Sequence, residues 1–139
     1  MIYVRARPSL GVGITFIYVN WIGVIVLKIA VVGVCASGKT TLVAGLKAAG
    51  YDAYNVAQEH SGIHDFWAKR HPDILVMIDA TMPAIHKRRT VYWNEDRLAV
   101  QHKRLADARA HADLYIQTDN YNAEQVRDKV INFVNKYNK

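Results

Sequence analysis

Four short apolar runs divide the chain, and the stretches between them carry apolar residues at helical spacing. Leu27–Val34 (LKIAVVGV) is continuous and ends on a glycine, as a strand buried on both faces would. Lys39–Ala49 places Leu42, Val43 and Leu46 on one side of a helix, with Gly50 as its C-terminal stop. Asp52–Gln58 is a less apolar strand, expected nearer a sheet edge. His64–His71 reads as a short helix halted by Pro72, and Asp73–Asp79 (DILVMID) as the next buried strand. Thr81 begins a helix to about Arg89, with Pro83 tolerated in its first turn. Asn94 begins a longer helix to about His111, and Asp113–Thr118 (DLYIQT) is a last strand. Asn122 and Gln125 have capping-box spacing ahead of a helix with Val126, Val130, Phe133, Val134 and Tyr137 on one face.

Strands alternating with helices predict an α/β fold in three layers: a parallel sheet of about four strands with helices on both faces. Residues 28–139 hold this pattern, and residues 1–27 stand apart from it. Ser9–Leu27 contains 19 residues without a charge, which meets the length of a membrane span. Gly11, Gly13, Thr15, Asn20 and Gly23 dilute it, and its β-branched residues suit strands equally well. Arg5 and Arg7 ahead of a span would leave the remainder outside the cell. No small-x-small cleavage site precedes Lys28. Three readings of 1–27 follow: an extension ahead of a natural start near Val26, one or two extra strands or a helix on the domain, or a membrane anchor through residues 9–27.

Composition narrows the partners. A chain of 139 residues that is 51% hydrophobic and 22% charged is one globular domain, neither disordered nor collagen-like. The net charge of +6 invites anions. Its distribution matters more than its size: +2 lies in residues 1–27, +1 in 28–78, +3 in 79–111 and zero beyond. No basic run interleaved with aromatics appears, so a nucleic-acid partner is not expected. The single cysteine, Cys35, excludes an internal disulfide framework and a Cys-rich zinc site, and fits a cytoplasmic chain.

The strongest chemical signal is Gly33-Val34-Cys35-Ala36-Ser37-Gly38-Lys39-Thr40, which matches the phosphate-binding pattern G-x-x-x-x-G-K-[ST] between a buried strand and an amphipathic helix. Gly33 and Gly38 permit close approach and backbone angles that a side chain would block. Successive N–H groups, with those of Ser37 and Thr41 among them, form an anion nest at a positive helix end. Lys39 supplies a charge for the β- and γ-phosphates and Thr40 a hydroxyl for Mg²⁺. Cys35 reads first as a small filler. A redox role is the alternative, since a helix N-terminus lowers a thiol pKa.

From Lys28 to about Val134 the chain resembles the small P-loop kinases, the group of shikimate kinase and the nucleoside monophosphate kinases. GVCASGKTTL, DILVMIDAT with a helix ending in HKRR, RLAVQHKRLADAR and HADLYIQTDNYNAEQVRDKVINFV carry the likeness. VAQEHS is similar to a segment of a bacterial branch of small P-loop NTPases. The resemblance implies ATP and Mg²⁺ as cofactors. It implies lid arginines at Arg88 and Arg89, phosphate- or substrate-reaching arginines at Arg104 and Arg109, and adenine contact at Thr118–Asn120. The chain also departs from the group. The Gly-Gly element and the Asp-x-Asp are missing, with Gln58-Glu59-His60 in the latter's place, and only a short lid fits between Arg89 and Asn94.

Glu59 and Asp79 both end strands, where ligands of parallel sheets gather, so either can hold the metal. The alternative for Asp79 is a helix cap. His60 is a candidate base for a substrate hydroxyl, or else a loop histidine bound to backbone. Arg97, Gln101 and Arg104 share a helix face, which is either functional or a solvated basic face. His86, Lys87, Arg88 and Arg89 can equally be an exposed helix end, where cations suit the C-terminal dipole, the alternative to a lid role for the two arginines. His64 and Trp93 are candidate pocket residues, while Phe66 and Trp67 fit ordinary packing. The expected function is ATP-dependent phosphoryl transfer to a small metabolite or nucleotide. The rival is a nucleotide-operated switch or slow NTPase acting through a partner. No N-K-x-D base motif supports a GTPase, and no L-S-G-G-Q supports a transporter ATPase.

Overall fold

A computed structural model describes residues 2–4 and 26–137. The architecture is α/β, a five-stranded mixed sheet with helices on both sides. In chain order the strands are β1 (Ile2–Val4), β2 (Lys28–Gly33), β3 (Asp52–Asn55), β4 (Ile74–Asp79) and β5 (Leu114–Gln117). The helices are α1 (Lys39–Ala48), α2 (Met82–Arg88), α3 (Glu95–Arg104), α4 (Ala106–His111) and α5 (Ala123–Tyr137). The sheet order is β1-β5-β4-β2-β3. β2 to β5 run parallel, and β1 pairs antiparallel with β5 in the register Ile2 to Ile116.

Alternation along the strands splits the core. Ala30, Val32, Leu75, Met77 and Tyr115 face α2, α3 and α4, where Ile85, Leu98, Leu105 and Ala108 meet them. Ile29, Val31, Ile74, Val76, Ile78 and Ile116 face α1 and α5, against Leu42, Leu46, Val126, Val130 and Val134. Strands covered on both faces must be apolar throughout, which is why β2 and β4 read as unbroken apolar runs. At the strand starts the carboxylates of Asp73 and Asp113 accept from Lys28 N and Leu75 N at 2.7 and 2.8 Å. Both acids thus act at the end of the sheet opposite the loops that follow the strands.

Four expectations change. The sheet has a fifth, antiparallel strand instead of four parallel ones, because Tyr3 stacks on Tyr115 with ring centroids 5.1 Å apart and extends the β5 edge. The helix expected over 94–111 is two helices, turned at the fully buried Leu105. The helix expected at 64–71 is a 3₁₀ turn, Phe66–Arg70, and the strand expected over 52–58 stops at Asn55, with a second 3₁₀ turn at Gln58–His60. Of the segment 1–27, Ile2–Val4 form β1, while the membrane-anchor reading falls mainly on 9–25, outside the described residues. Among the described residues no helix is long and apolar enough to cross a membrane.

The capping box forms as expected. Asn122 Oδ1 accepts from Gln125 N at 2.7 Å, and Gln125 Oε1 accepts from Asn122 N at 2.9 Å. Asn122→Ala is expected to lower stability by about 1 kcal/mol, read from a urea unfolding midpoint with unchanged slope.

Candidate functional site

The loops at the carboxyl ends of β2, β3, β4 and β5 converge on the start of α1. Gly33 closes β2 against β4 so tightly that a Cβ there would lie 2.2 Å from the Ile78 carbonyl oxygen and 2.9 Å from Ser37 Oγ. The chain then turns through Ala36 at φ 63° and Gly38 at φ 104°. Ser37 holds the turn, its N and Oγ donating to Val34 O at 3.2 and 2.6 Å. Left-handed positions among right-handed ones point successive N–H groups to one side. α1 begins at Lys39 with no side-chain cap and no acid in its first turn, so its free N–H groups favour an anion.

Lys39 folds back over the loop. Its Nζ donates to Gly33 O and Val34 O at 2.8 and 3.0 Å and forms an ion pair with Glu59, from the 3₁₀ turn after β3. Glu59 is 1% exposed, and apart from this ion pair its carboxylate oxygens have no hydrogen-bond partner. α3 braces both loops. Gln101 Oε1 accepts from Cys35 N at 2.8 Å, and Arg104 Nη1 donates to Glu59 O at 3.2 Å. Cys35 Sγ lies 3.0 Å from His60 Nε2. The thiol pKa is pushed up, first by burial and then by the Glu59 carboxylate, against the pull of Lys39, Arg97 and Arg89. The expected lowering by the helix end does not prevail.

Across the loop, the end of α2 supplies Arg88, whose Nη1 donates to Thr118 Oγ1 at 2.8 Å and whose Nη2 donates to Thr118 O. Between these elements lies a cavity of about 310 Å³, bordered by Ser37, Gly38, Thr41, Arg88, Arg89 and Tyr121. A second space of about 360 Å³ opens beside His60, Arg97, Gln101 and Arg104.

The structure thus brings together Gly33, Ser37, Gly38, Lys39 and Thr41 with Arg88 and Arg89, and joins Glu59 to them through Lys39. Thr40 is exposed in the first turn of α1. Three candidates lie elsewhere. The Asp79 carboxylate accepts from Ala80 N at 2.9 Å and Tyr115 OH at 2.8 Å, and pairs with His102 at 2.9 Å. It borders a different cavity, shared with Thr81 and Leu98. Arg109 sits over the Tyr115 ring, 4.9 Å from its centroid. Asn120 is exposed and does not border the 310 Å³ cavity. His64, His86 and Lys87 are exposed, whereas Phe66, Trp67 and Trp93 pack against the core.

Strand parity sets Asp79 apart from the 33–40 loop. It shares a face with Leu75 and Met77, which look toward α2–α4, while α1 lies on the other face. Thr118 holds the site from behind: its hydroxyl lies 3.3 Å from Ser37 O and 3.1 Å from Asp79 O and ties three loops together. No protein-family model matches the chain, and no curated protein matches it.

Proposed function

We propose that this chain is a small P-loop phosphotransferase, which binds Mg-ATP on the 33–40 loop and passes the γ-phosphoryl group to a small metabolite or nucleotide. The observation that carries the reading is Lys39. Its ammonium lies over the carbonyls of Gly33 and Val34 at an uncapped helix start, and its loop neighbours Ser37, Gly38 and Thr41 border a cavity with Arg88 and Arg89. Phosphate oxygens would replace these carbonyls and Glu59 as its partners. The triphosphate would lie along Ser37–Thr41, with the nucleoside toward Tyr121. Arg88 and Arg89 would neutralise the charge that develops on the transferring group. The acceptor would enter beside His60, Asp96, Arg97 and Arg104, where two guanidinium groups against one carboxylate favour an anionic molecule.

Magnesium supplies charge neutralisation at the phosphates. Thr40 offers a hydroxyl and Glu59 a carboxylate on that side. Asp79 is a poorer fit, because hydrogen bonds and the His102 pair already engage both of its oxygens.

The test is transfer of labelled γ-phosphate from Mg-ATP to a broad metabolite panel by the full chain. The expected result is magnesium-dependent labelling of one acceptor class. Arg89→Ala should then lower kcat by roughly 100-fold with little change in ATP affinity. ATP binding without any acceptor would overturn the phosphotransferase reading. It would favour a nucleotide-operated switch, the reading that the short connection from α2 to α3 supports.

A further inference from the structure

We propose that Cys35, Glu59 and His60 form a binding site for a thiophilic divalent cation of the zinc class; it shares Glu59 with the magnesium of the nucleotide reading but does not rest on that reading. The three donor atoms, one each from thiol, carboxylate and imidazole, lie within 4.8 Å of one another. Zinc bonds of about 2.0–2.3 Å place tetrahedral ligands roughly 3–4 Å apart. Cys35 Sγ and His60 Nε2, 3.0 Å apart, would open slightly to admit the ion, and no donor pair exceeds that range by more than about 1 Å. The donor set discriminates. Thiolate with imidazole selects zinc-like ions, whereas magnesium requires oxygen ligands and keeps its water.

Two further observations point to a ligand. Glu59 is 1% exposed, yet among the described residues the Lys39 ammonium is the only partner of its carboxylate, which has capacity for further bonds. The loops that carry two of the donors are also braced: Gln101 accepts from the Cys35 backbone N–H, and Arg104 donates to the Glu59 carbonyl. Cys35 is half-buried and His60 exposed, which leaves a route for the ion and a fourth coordination position for solvent.

The chemistry balances simply. The Cys35 thiol gives up its proton to solvent as its sulfur bonds the cation. His60 binds through the Nε2 lone pair, and Glu59 exchanges its Lys39 contact for the ion. Lys39 keeps the Gly33 and Val34 carbonyls as acceptors. Two anionic ligands then neutralise a divalent ion among Lys39, Arg89 and Arg97.

The test is Co²⁺ titration of the reduced full chain without nucleotide. The expected result is a thiolate-to-cobalt charge-transfer band that saturates at one ion per chain and is abolished by Zn²⁺. Cys35 is the only cysteine, so such a band reports this sulfur alone. His60→Ala, at an exposed position, should weaken binding at least 10-fold, as should Glu59→Gln. Lys39→Ala should tighten it several-fold by freeing the carboxylate. Three results would overturn the site: no band at stoichiometric cobalt, saturation at one ion per two chains, or unchanged affinity in both His60→Ala and Glu59→Gln. ATP binding plays no part in these measurements, so failure of the nucleotide reading would leave them intact.

Discussion

Lys39→Ala is expected to lower ATP affinity at least 100-fold and also to destabilise the fold. Two causes are separable. The affinity loss comes from removing the one ammonium that the 33–40 loop directs at its own concave side, and a factor of 100 corresponds to about 2.7 kcal/mol. The stability loss comes from Glu59. Its carboxylate is buried, and among the described residues Lys39 is the only group that balances it. Breaking a buried pair by removing one partner costs about 3–5 kcal/mol. The Lys39 side chain is 10% exposed, which places this pair toward the lower figure. Glu59→Gln alone should cost less, since Lys39 keeps two carbonyl acceptors. In the double variant stability should largely return while ATP affinity does not. Calorimetric titration with Mg-ATP and urea unfolding of the four proteins measure both quantities. Unchanged ATP affinity in Lys39→Ala would remove the basis of the nucleotide reading.

Gly33→Ala is the second large effect, about 3 kcal/mol of lost stability and a melting temperature lower by roughly 10 °C. The added methyl would meet the Ile78 carbonyl oxygen at 2.2 Å, a backbone atom of the neighbouring strand that cannot rotate away. Relief requires β2 and β4 to part at the register pair Gly33 and Ile78. Gly38→Ala separates space from backbone angle. A Cβ at Gly38 meets nothing within 4 Å, but φ is 104° there. Its cost is strain alone, about 1–3 kcal/mol, and it falls on the helix start that faces the cavity. Thermal melts rank the two, and an intact Tm in Gly33→Ala would contradict the close approach of the strands.

Physical locality explains which features were legible in the sequence. β2 and β4 announce themselves because a strand covered on both faces must be largely apolar. The 33–40 loop announces itself because its geometry tolerates few residues. The Asn122 cap involves partners three positions apart. β1 does not announce itself: three residues show no period, and its place depends on a Tyr3–Tyr115 stack across most of the chain. The turn at Leu105 carries neither glycine nor proline, and an apolar residue at helical spacing conceals it. The Cys35–Glu59–His60 cluster was invisible for the same reason as β1. Its members follow different strands, and only the pairing of β2 with β3 brings them together. Gln101 and Arg104 were legible as a shared helix face, but their targets, two backbone groups, were not.

The edge position of β1 bears on the order of assembly. Its partner strand is the last in the chain, so Ile2 has no ladder until Ile116 has been made and placed. The β2–β4 pair needs no such wait and can close once the chain has passed Asp79. Contacts this distant in sequence are slow to form, because a long loop must close before any stabilisation is gained. During synthesis on the ribosome the first strand therefore docks last. Until then the outer side of the sheet offers open hydrogen-bonding groups, a brief opportunity for pairing between chains.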